Sequence, residues 1–137
     1  MMVGSRAEKG QVLVMSALVM AFLFLPLSIF VIDTALVESG YAQLGETLQA
    51  SAEDGASTVD EVAYRSSDGK TVALDAVQAK VIADRSMRVS GMPGLDSWEV
   101  TVQGSRVTIT GRLSVRLLLL GKATLTESRS ASLVVGQ

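Results

Sequence analysis

One uncharged stretch decides the fold of this chain: Val12 to Ile32, VLVMSALVMAFLFLPLSIFVI. It contains 21 residues, and its only polar side chains are those of Ser16 and Ser28. An α-helix rises about 1.5 Å per residue, so the stretch would reach about 31 Å, close to the hydrocarbon thickness of a bilayer. The sequence therefore predicts a transmembrane helix over residues 12–32.

Two other interpretations of the apolar stretch are less consistent with the sequence. A buried core helix needs protein around all its sides, and the rest of a 137-residue chain cannot supply that shell. A cleaved signal peptide has a shorter apolar core of about 7–15 residues, followed by a small-residue cleavage site. Here the segment 33–36 continues in helical register instead.

The flanking charges predict the orientation of the helix. Basic residues precede the stretch and acidic residues follow it: Arg6 and Lys9, then Asp33 and Glu38. Because positive residues stay on the cytoplasmic side of a membrane, we expect residues 1–11 to form a cytoplasmic segment or leader. Residues 33–137 then form the extracytoplasmic domain.

Two residues of this region have a special role in the predicted helix. Pro26 lacks the amide hydrogen that would bond to the carbonyl of Phe22, so we expect a bend there. Asp33 has two interpretations: a solvated stop at the membrane edge, or a functional residue that either marks depth at the interface or pairs with a cation of a partner.

The composition excludes several kinds of chemistry. Cysteine and histidine are absent, which removes disulfides and every mechanism that uses a Cys or His nucleophile or base. With 12 basic and 14 acidic residues, the net charge of −2 offers no basic excess for nucleic acid. The adjacent acids at 53–54 and 60–61 point to different sides of a helix. We therefore expect no enzyme, no cofactor, no metal and no nucleic-acid partner, although a Ser–Lys pair is not formally excluded.

Beyond the apolar stretch the pattern becomes amphipathic. Apolar and small residues recur at spacings of three and four: Val37, Tyr41, Leu44, Leu48, Ser51 or Ala52, Gly55, Val59 and Val62. This pattern predicts one continuous helix from about Val12 to Ala63, weakened at Gly40, Gly45 and Gly55 by up to ~1 kcal/mol each. The stripe can pack on the chain's own sheet, on other subunits, or on both.

The middle of the chain predicts a loop, a second helix and another loop. Ser66 to Lys70 has turn composition, and Ser90 to Gly94 ends the helix that precedes it. The helix is expected from about Val72 to Arg88. Its apolar side is expected to consist of Leu74, Val77, Val81 and Met87.

The last third has the two-residue period of strands. Gly104-Ser105 is a hairpin signal, and a type II′ turn there pairs residue 103 with 106, 102 with 107 and 100 with 109. Gly111 is interpreted as a bulge, Leu117 to Leu120 as a short apolar crossover, and Leu125 to Val135 as a third strand. The sequence thus predicts an α+β domain in which one face of an antiparallel sheet covers helices.

Motifs spread over nearly the whole chain resemble those of the TadE/TadG-like proteins of the Flp, or tight-adherence, pilus. The start of the apolar run resembles that family's basic-Gly-Gln motif, and its end resembles the family's Ile-Asp. A later helix resembles its L-Q-x-A-A-D-A-A-A segment. The segments are Lys9-Gly10-Gln11, Val31-Ile32-Asp33, Leu48 to Ala56, Val107 to Thr110, Leu117 to Leu120, Thr124 to Thr126 and Ser130 to Ser132.

The resemblance implies a pilin-like fold and a structural or assembly role in a pilus. The expected partners are other pilin-like subunits, platform proteins of the assembly machine and membrane lipid, in a homo- or hetero-oligomer or filament. Ten residues are expected to serve helix packing in membrane and filament: Leu18, Phe22, Leu25, Pro26, Phe30, Asp33, Val37, Tyr41, Leu44 and Leu48.

The resemblance also implies a possible cut by a prepilin peptidase after Gly10, before Gln11, with Gly4-Ser5 as the alternative. Processed family members carry Glu five residues after the glycine, but Met15 occupies that place after Gly10. Cleavage therefore stays open. Two other functions stay open as well: a pseudopilin of a secretion or DNA-uptake machine, and a single-pass anchored binding domain unrelated to pili.

Overall fold

The computed structural model of the chain describes residues 3–58, 61–69 and 73–133. Its helices are α1 (Val3–Ala56), α2 (Glu61–Ser66) and α3 (Ala76–Ser90), and its strands are β1 (Leu95–Gln103), β2 (Arg106–Arg116) and β3 (Lys122–Ser132). A long apolar helix followed by a small antiparallel sheet of three strands agrees with the predicted α+β class.

Helix α1 begins earlier than predicted, at Val3 rather than Val12. The reason is local, because Arg6, Ala7, Glu8 and Lys9 are all good helix formers and the predicted boundary rested on hydrophobicity alone. The helix passes through both predicted segment boundaries, at 11/12 and 32/33, without a break.

The prediction that α1 reaches Ala63 is wrong, since the helix ends at Ala56. The sheet explains this end: Val107, the second residue of β2, packs beside Gly55. A longer helix would extend past the sheet, and helices in proteins owe most of their stability to such packing. The predicted stripe position Val59 and the side chain of Val62 lie outside the described residues.

Strands β1 and β2 form the predicted hairpin in the predicted register. Val102 pairs with Val107 and Val100 pairs with Ile109. Gly104 has φ of 60°, the left-handed value that the first position of a type II′ turn requires. The alternating pattern and the two-residue turn were thus sufficient to determine this register.

Gly111 is not a bulge. It pairs regularly with Trp98 on one side and with Glu127 on the other, and the irregularity of β1 lies between Leu95 and Ser97. A Cβ atom at Gly111 would lie 3.0 Å from Cδ2 of Leu48. The glycine therefore lets helix α1 approach the sheet closely.

The connection after β2 and the third strand also differ from expectation. Residues 117–121 form the tight loop of a second hairpin, not a crossover, and the Leu117 N–H donates to the Gly121 carbonyl at 2.6 Å. Strand β3 spans Lys122–Ser132 and begins earlier than the predicted Leu125, because its ladder with β2 starts directly after this loop. The predicted end, Val135, lies outside the described residues. The strand order is β1-β2-β3.

The sheet lies along one side of α1, with β2 antiparallel to the helix. Successive contacts mark this register from one end to the other: Gly55 with Val107, Leu48 with Gly111, and Gly40 with Val115. The helix, the sheet and α3 enclose one core, made of Leu44, Leu48, Ala52, Ala56, Leu74, Ala79, Ala83, Met87, Val100, Val107, Ile109, Leu113 and Leu125.

Helix α3 starts later than predicted, at Ala76, because Asp75 caps it: the Asp75 carboxylate accepts from the Gln78 N–H at 3.2 Å. Gly91, with φ of 58°, terminates it in the left-handed conformation. The predicted start, Val72, lies outside the described residues.

The predicted apolar side of α3 is only partly correct. Its buried residues are Ala79, Ala83 and Met87, whereas Val77 and Val81 are exposed. The close approach to α1 decides this, since a Cβ at Gly55 would lie 2.9 Å from the Ala79 carbonyl oxygen. Small residues fit so narrow a gap, and the larger valines are excluded from it.

Alanine substitutions at two glycines of α1 are expected to change the free energy of unfolding in opposite directions. Gly55→Ala is expected to destabilise the protein by about 1–3 kcal/mol, because its Cβ would meet α3 backbone. Gly45→Ala is expected to stabilise it by up to about 1 kcal/mol, because its Cβ would meet only the movable guanidinium of Arg129. Urea unfolding of the full chain in detergent, followed by the single tryptophan, measures both. If both substitutions stabilise the protein, or both destabilise it, the contacts described at these two glycines are wrong.

Candidate functional site: the bare helix and its junction with the sheet

No other described part of the chain packs around the first half of α1. This helix is long and apolar enough to cross a membrane, and none of its most apolar window is buried within the described part of the molecule. The predicted packing residues here are exposed, up to 82% for Phe22: Leu18, Phe22, Leu25 and Phe30. Leu23 and Phe24, which point to other sides of the helix, are 64% and 57% exposed. Such a surface needs lipid or other helices to cover it.

The predicted cleavage residues lie within the same helix. Gly10 and Gln11 are exposed, and a Cβ at Gly10 would have no neighbour within 4 Å. Gly4 and Ser5 also have helical backbone, but their side chains lie outside the described residues. Pro26 lies inside α1, which continues beyond it. The bend at Pro26 and the cut after Gly10 stay predictions.

Asp33 has a role that neither sequence interpretation foresaw. Its side chain is buried, with the residue only 4% exposed, and its two carboxylate oxygens accept hydrogen bonds from two backbone amides. The Leu118 N–H donates to Oδ1 at 2.7 Å, and the Leu119 N–H donates to Oδ2 at 2.8 Å. Asp33 is therefore not a solvated stop but the residue that fixes the β2–β3 loop to the helix, and its pairing with a cation of a partner stays a prediction.

The geometry of the loop explains this interaction. Between Leu117 and Gly121 the chain reverses, and Gly121 supplies the positive φ of 79°. Amides at such a tip cannot take part in the strand ladder, so buried ones need another acceptor. A carboxylate that accepts two amides forms charge-assisted bonds, which are stronger than neutral ones.

Sequence reasoning missed this pair for a clear reason. Leu118 and Leu119 lie 85 and 86 residues after Asp33 in the sequence. In addition, an acid directly after an apolar run is typical of a membrane stop. A signal was present in retrospect: four leucines followed by a glycine between two strands fit a hairpin loop better than a crossover.

The other predicted packing residues divide into two groups. Leu44 and Leu48 are fully buried against the chain's own sheet, so they belong to the core of the domain. Val37 is half-buried against the same core, and Tyr41 is 39% exposed. Of the predicted amphipathic stripe, Leu44 and Leu48 thus pack on the chain's own sheet and not on another subunit.

The acidic pair of α1, Glu53 and Asp54, makes ordinary surface contacts, whereas Asp60 and the side chain of Glu61 lie outside the described residues. Glu53 accepts from Gln49 Nε2 at 2.8 Å, whereas Asp54 accepts from the Ser86 hydroxyl of α3 at 2.8 Å. Among the residues that the structure describes, no group of three or more acids is close enough to hold a metal ion. The candidate site described above is a packing surface of apolar side chains.

Comparison with known proteins adds no relative. No family model, no curated protein and no solved structure matches this chain. The resemblance to the TadE/TadG-like proteins accordingly rests on the sequence motifs alone.

Proposed function

We propose that the chain is a structural or assembly subunit of a surface pilus of the Flp type, either a pilin or a minor, pilin-like component. It crosses the cytoplasmic membrane once, with its N-terminus inside and the α+β domain outside. One observation supports this most: α1 is a single unbroken helix that is bare in its first half and covered on one side only in its second half.

This arrangement suits a subunit that moves from lipid into a filament. In the bilayer, acyl chains cover Leu18, Phe22 and the other exposed apolar residues. In a filament, apolar helices of neighbouring subunits would replace the lipid, and van der Waals packing would hold them together. The bare surface serves both states without a change in the fold of the domain.

The second half of α1 offers a contact surface as well. Leu36 and Tyr41 are 38% and 39% exposed, although both lie in the part of the helix that carries the sheet. Other pilin-like subunits are the proposed partners of this surface, and platform proteins of the assembly machine would handle the membrane half.

A binding domain unrelated to pili is the second candidate, and one feature favours it. A groove between α3 and β1 is lined by Val77, Lys80, Val81, Asp84 and Trp98, and the Trp98 indole donates to Asp84 at 2.8 Å. The two valines are exposed there. This groove lies far from the bare half of α1, so occupation of the groove would not require any assembly.

Cell fractionation distinguishes the two functions. We expect intact-mass and N-terminal analysis to find the chain in sheared surface filaments, starting at Gln11 if it is processed. Alanine at the exposed Phe22 should reduce its amount in filaments, while alanine at the exposed Val77, in the groove, should not. An uncut chain confined to the membrane, in cells that do assemble filaments, would refute the shaft role.

The proposed topology has its own test, because the chain contains no cysteine. We expect a membrane-impermeant maleimide to label Ser97→Cys on intact cells, since Ser97 is exposed on the domain. In the uncut chain, Ala7→Cys, exposed before the apolar stretch, should be labelled only after the cells are broken. The reverse pattern would show that the orientation is inverted.

A further inference from the structure

The β2–β3 loop presents three leucines to the outside of the molecule. Leu118, Leu119 and Leu120 are 56–73% exposed, whereas Leu117 before them is buried in the domain. Three adjacent exposed leucines at the tip of a tight loop have no packing role within the described part of the chain, so they call for a partner outside it.

The position of this loop indicates the partner. The Asp33 carboxylate holds the amides of Leu118 and Leu119, and Asp33 directly follows the last residue of the apolar stretch, Ile32. The loop tip is thus fixed beside α1 at the level where the bare helix ends. A bilayer that encloses residues 12–32 would have its outer surface at this level.

The lengths of α1 and β2 also place the loop tip level with Asp33. From Gly55 to Asp33 the helix descends by 22 residues, or about 33 Å. From Val107, beside Gly55, to Leu118 the strand descends by 11 residues, or about 36 Å at the rise of a β-strand. The two distances are nearly equal, so the leucines lie at the end of the domain that is next to the bare half of α1.

The charges next to the loop fit a phospholipid surface. Arg116 and Lys122 pair across the base of the loop, and both are exposed. Leucines that enter the interface and cations that stay at the headgroups are the usual pattern of an interfacial anchor. The adjacent acid, Asp33, is buried and bonded to the loop.

We propose that Leu118, Leu119 and Leu120 form a second membrane contact, inserted into the outer interface of the bilayer that α1 crosses, with Arg116 and Lys122 at anionic phospholipid headgroups. This inference rests on the membrane-spanning helix of the proposed function, but not on the pilus. The contact would hold the domain upright on the membrane until the subunit is extracted.

Fluorescent labels on single cysteines test the contact in the full chain. The variants are Leu119→Cys at the loop, Phe22→Cys in the span and Val77→Cys as the matched exposed apolar control, near the end of α3 that packs against Gly55. Each is reconstituted at one chain per nanodisc, in phosphatidylcholine with about 30% phosphatidylglycerol. Quenchers on lipid headgroups and on lipid tails report the depth of each label.

We expect strong headgroup-level quenching at residue 119, tail-level quenching at residue 22 and none at residue 77. Arg116→Gln with Lys122→Gln should reduce the quenching at residue 119 at least twofold in the anionic membrane. An unquenched label at residue 119 beside a quenched one at residue 22 would overturn the contact while the span stands. An unquenched label at residue 22 would overturn both. Quenching at residue 119 that needs several chains per disc would overturn the lipid contact in favour of a second copy of the chain.

Discussion

Replacement of Asp33 by Asn should lower the free energy of unfolding of the full chain by about 2–4 kcal/mol. The carboxylate is buried and accepts two backbone amides in part-buried hydrogen bonds, at 2.7 and 2.8 Å. An Asn side chain has one carbonyl oxygen and would direct an NH₂ group at the second amide. The loss of one charge-assisted hydrogen bond, together with a part-buried amide left without its acceptor, is of this size.

Urea unfolding in detergent, followed by the fluorescence of Trp98, measures this loss. Glu38→Gln is the matched control, because it removes an exposed carboxylate from the same helix one turn further on and should change stability by no more than about 0.5 kcal/mol. Amide hydrogen exchange at Leu118 and Leu119 should also become faster in Asp33→Asn. If Asp33→Asn and Glu38→Gln are equally stable, the hydrogen bonds from the Leu118 and Leu119 amides to Asp33 do not stabilise the fold as described.

Alanine at Leu48 should have a second large effect, and one that Phe22→Ala does not share. Leu48 is fully buried between α1 and the sheet, so its truncation should destabilise the domain by about 2–5 kcal/mol. Phe22 is 82% exposed in the bare half of the helix. Its truncation should leave unfolding of the domain unchanged and reduce the amount of protein in filaments.

The contrast between these two variants separates folding from assembly. Both residues were predicted to serve packing between helices, but only Phe22 has a surface that another subunit can reach. Unfolding in detergent measures the first effect, and the protein recovered in sheared filaments measures the second. A Phe22→Ala domain that unfolds as readily as Leu48→Ala would show that the bare half of α1 supports the fold.

The elements that the sequence predicted well depend on local chemistry. A stretch of 21 uncharged residues has few structural alternatives, and the Gly104-Ser105 turn determines the pairing of Val102 with Val107 by the two-residue period of strands. In both cases the determining residues are adjacent along the chain. The order of the two longer helices and the strands followed from the same local patterns, but α2 was not predicted as a separate helix.

The errors arose where contacts join distant parts of the chain. Gly40, Gly55 and Gly111 look like weak points or bulges in the sequence, yet each is a place where another element lies close to the glycine. A Cβ would lie 2.8 Å from Leu125 Cδ1 at Gly40, 2.9 Å from the Ala79 carbonyl oxygen at Gly55 and 3.0 Å from Leu48 Cδ2 at Gly111. Val77 and Val81 look like core residues by their spacing, yet the narrow gap beside Gly55 accepts only the alanines of α3.

The sequence by itself determined that this chain has a bare apolar helix, an amphipathic continuation and a hairpin of known register, since hydrophobic period and turn chemistry act over a few residues. Only the tertiary structure decided where α1 ends, which face of α3 is buried and what Asp33 does. A carboxylate directly after an apolar run has the same neighbours in the sequence whether water or the amides of a loop 85 residues away donate hydrogen bonds to it. Its role depends on the folded path of β2, which brings the amides of Leu118 and Leu119 to the end of the helix.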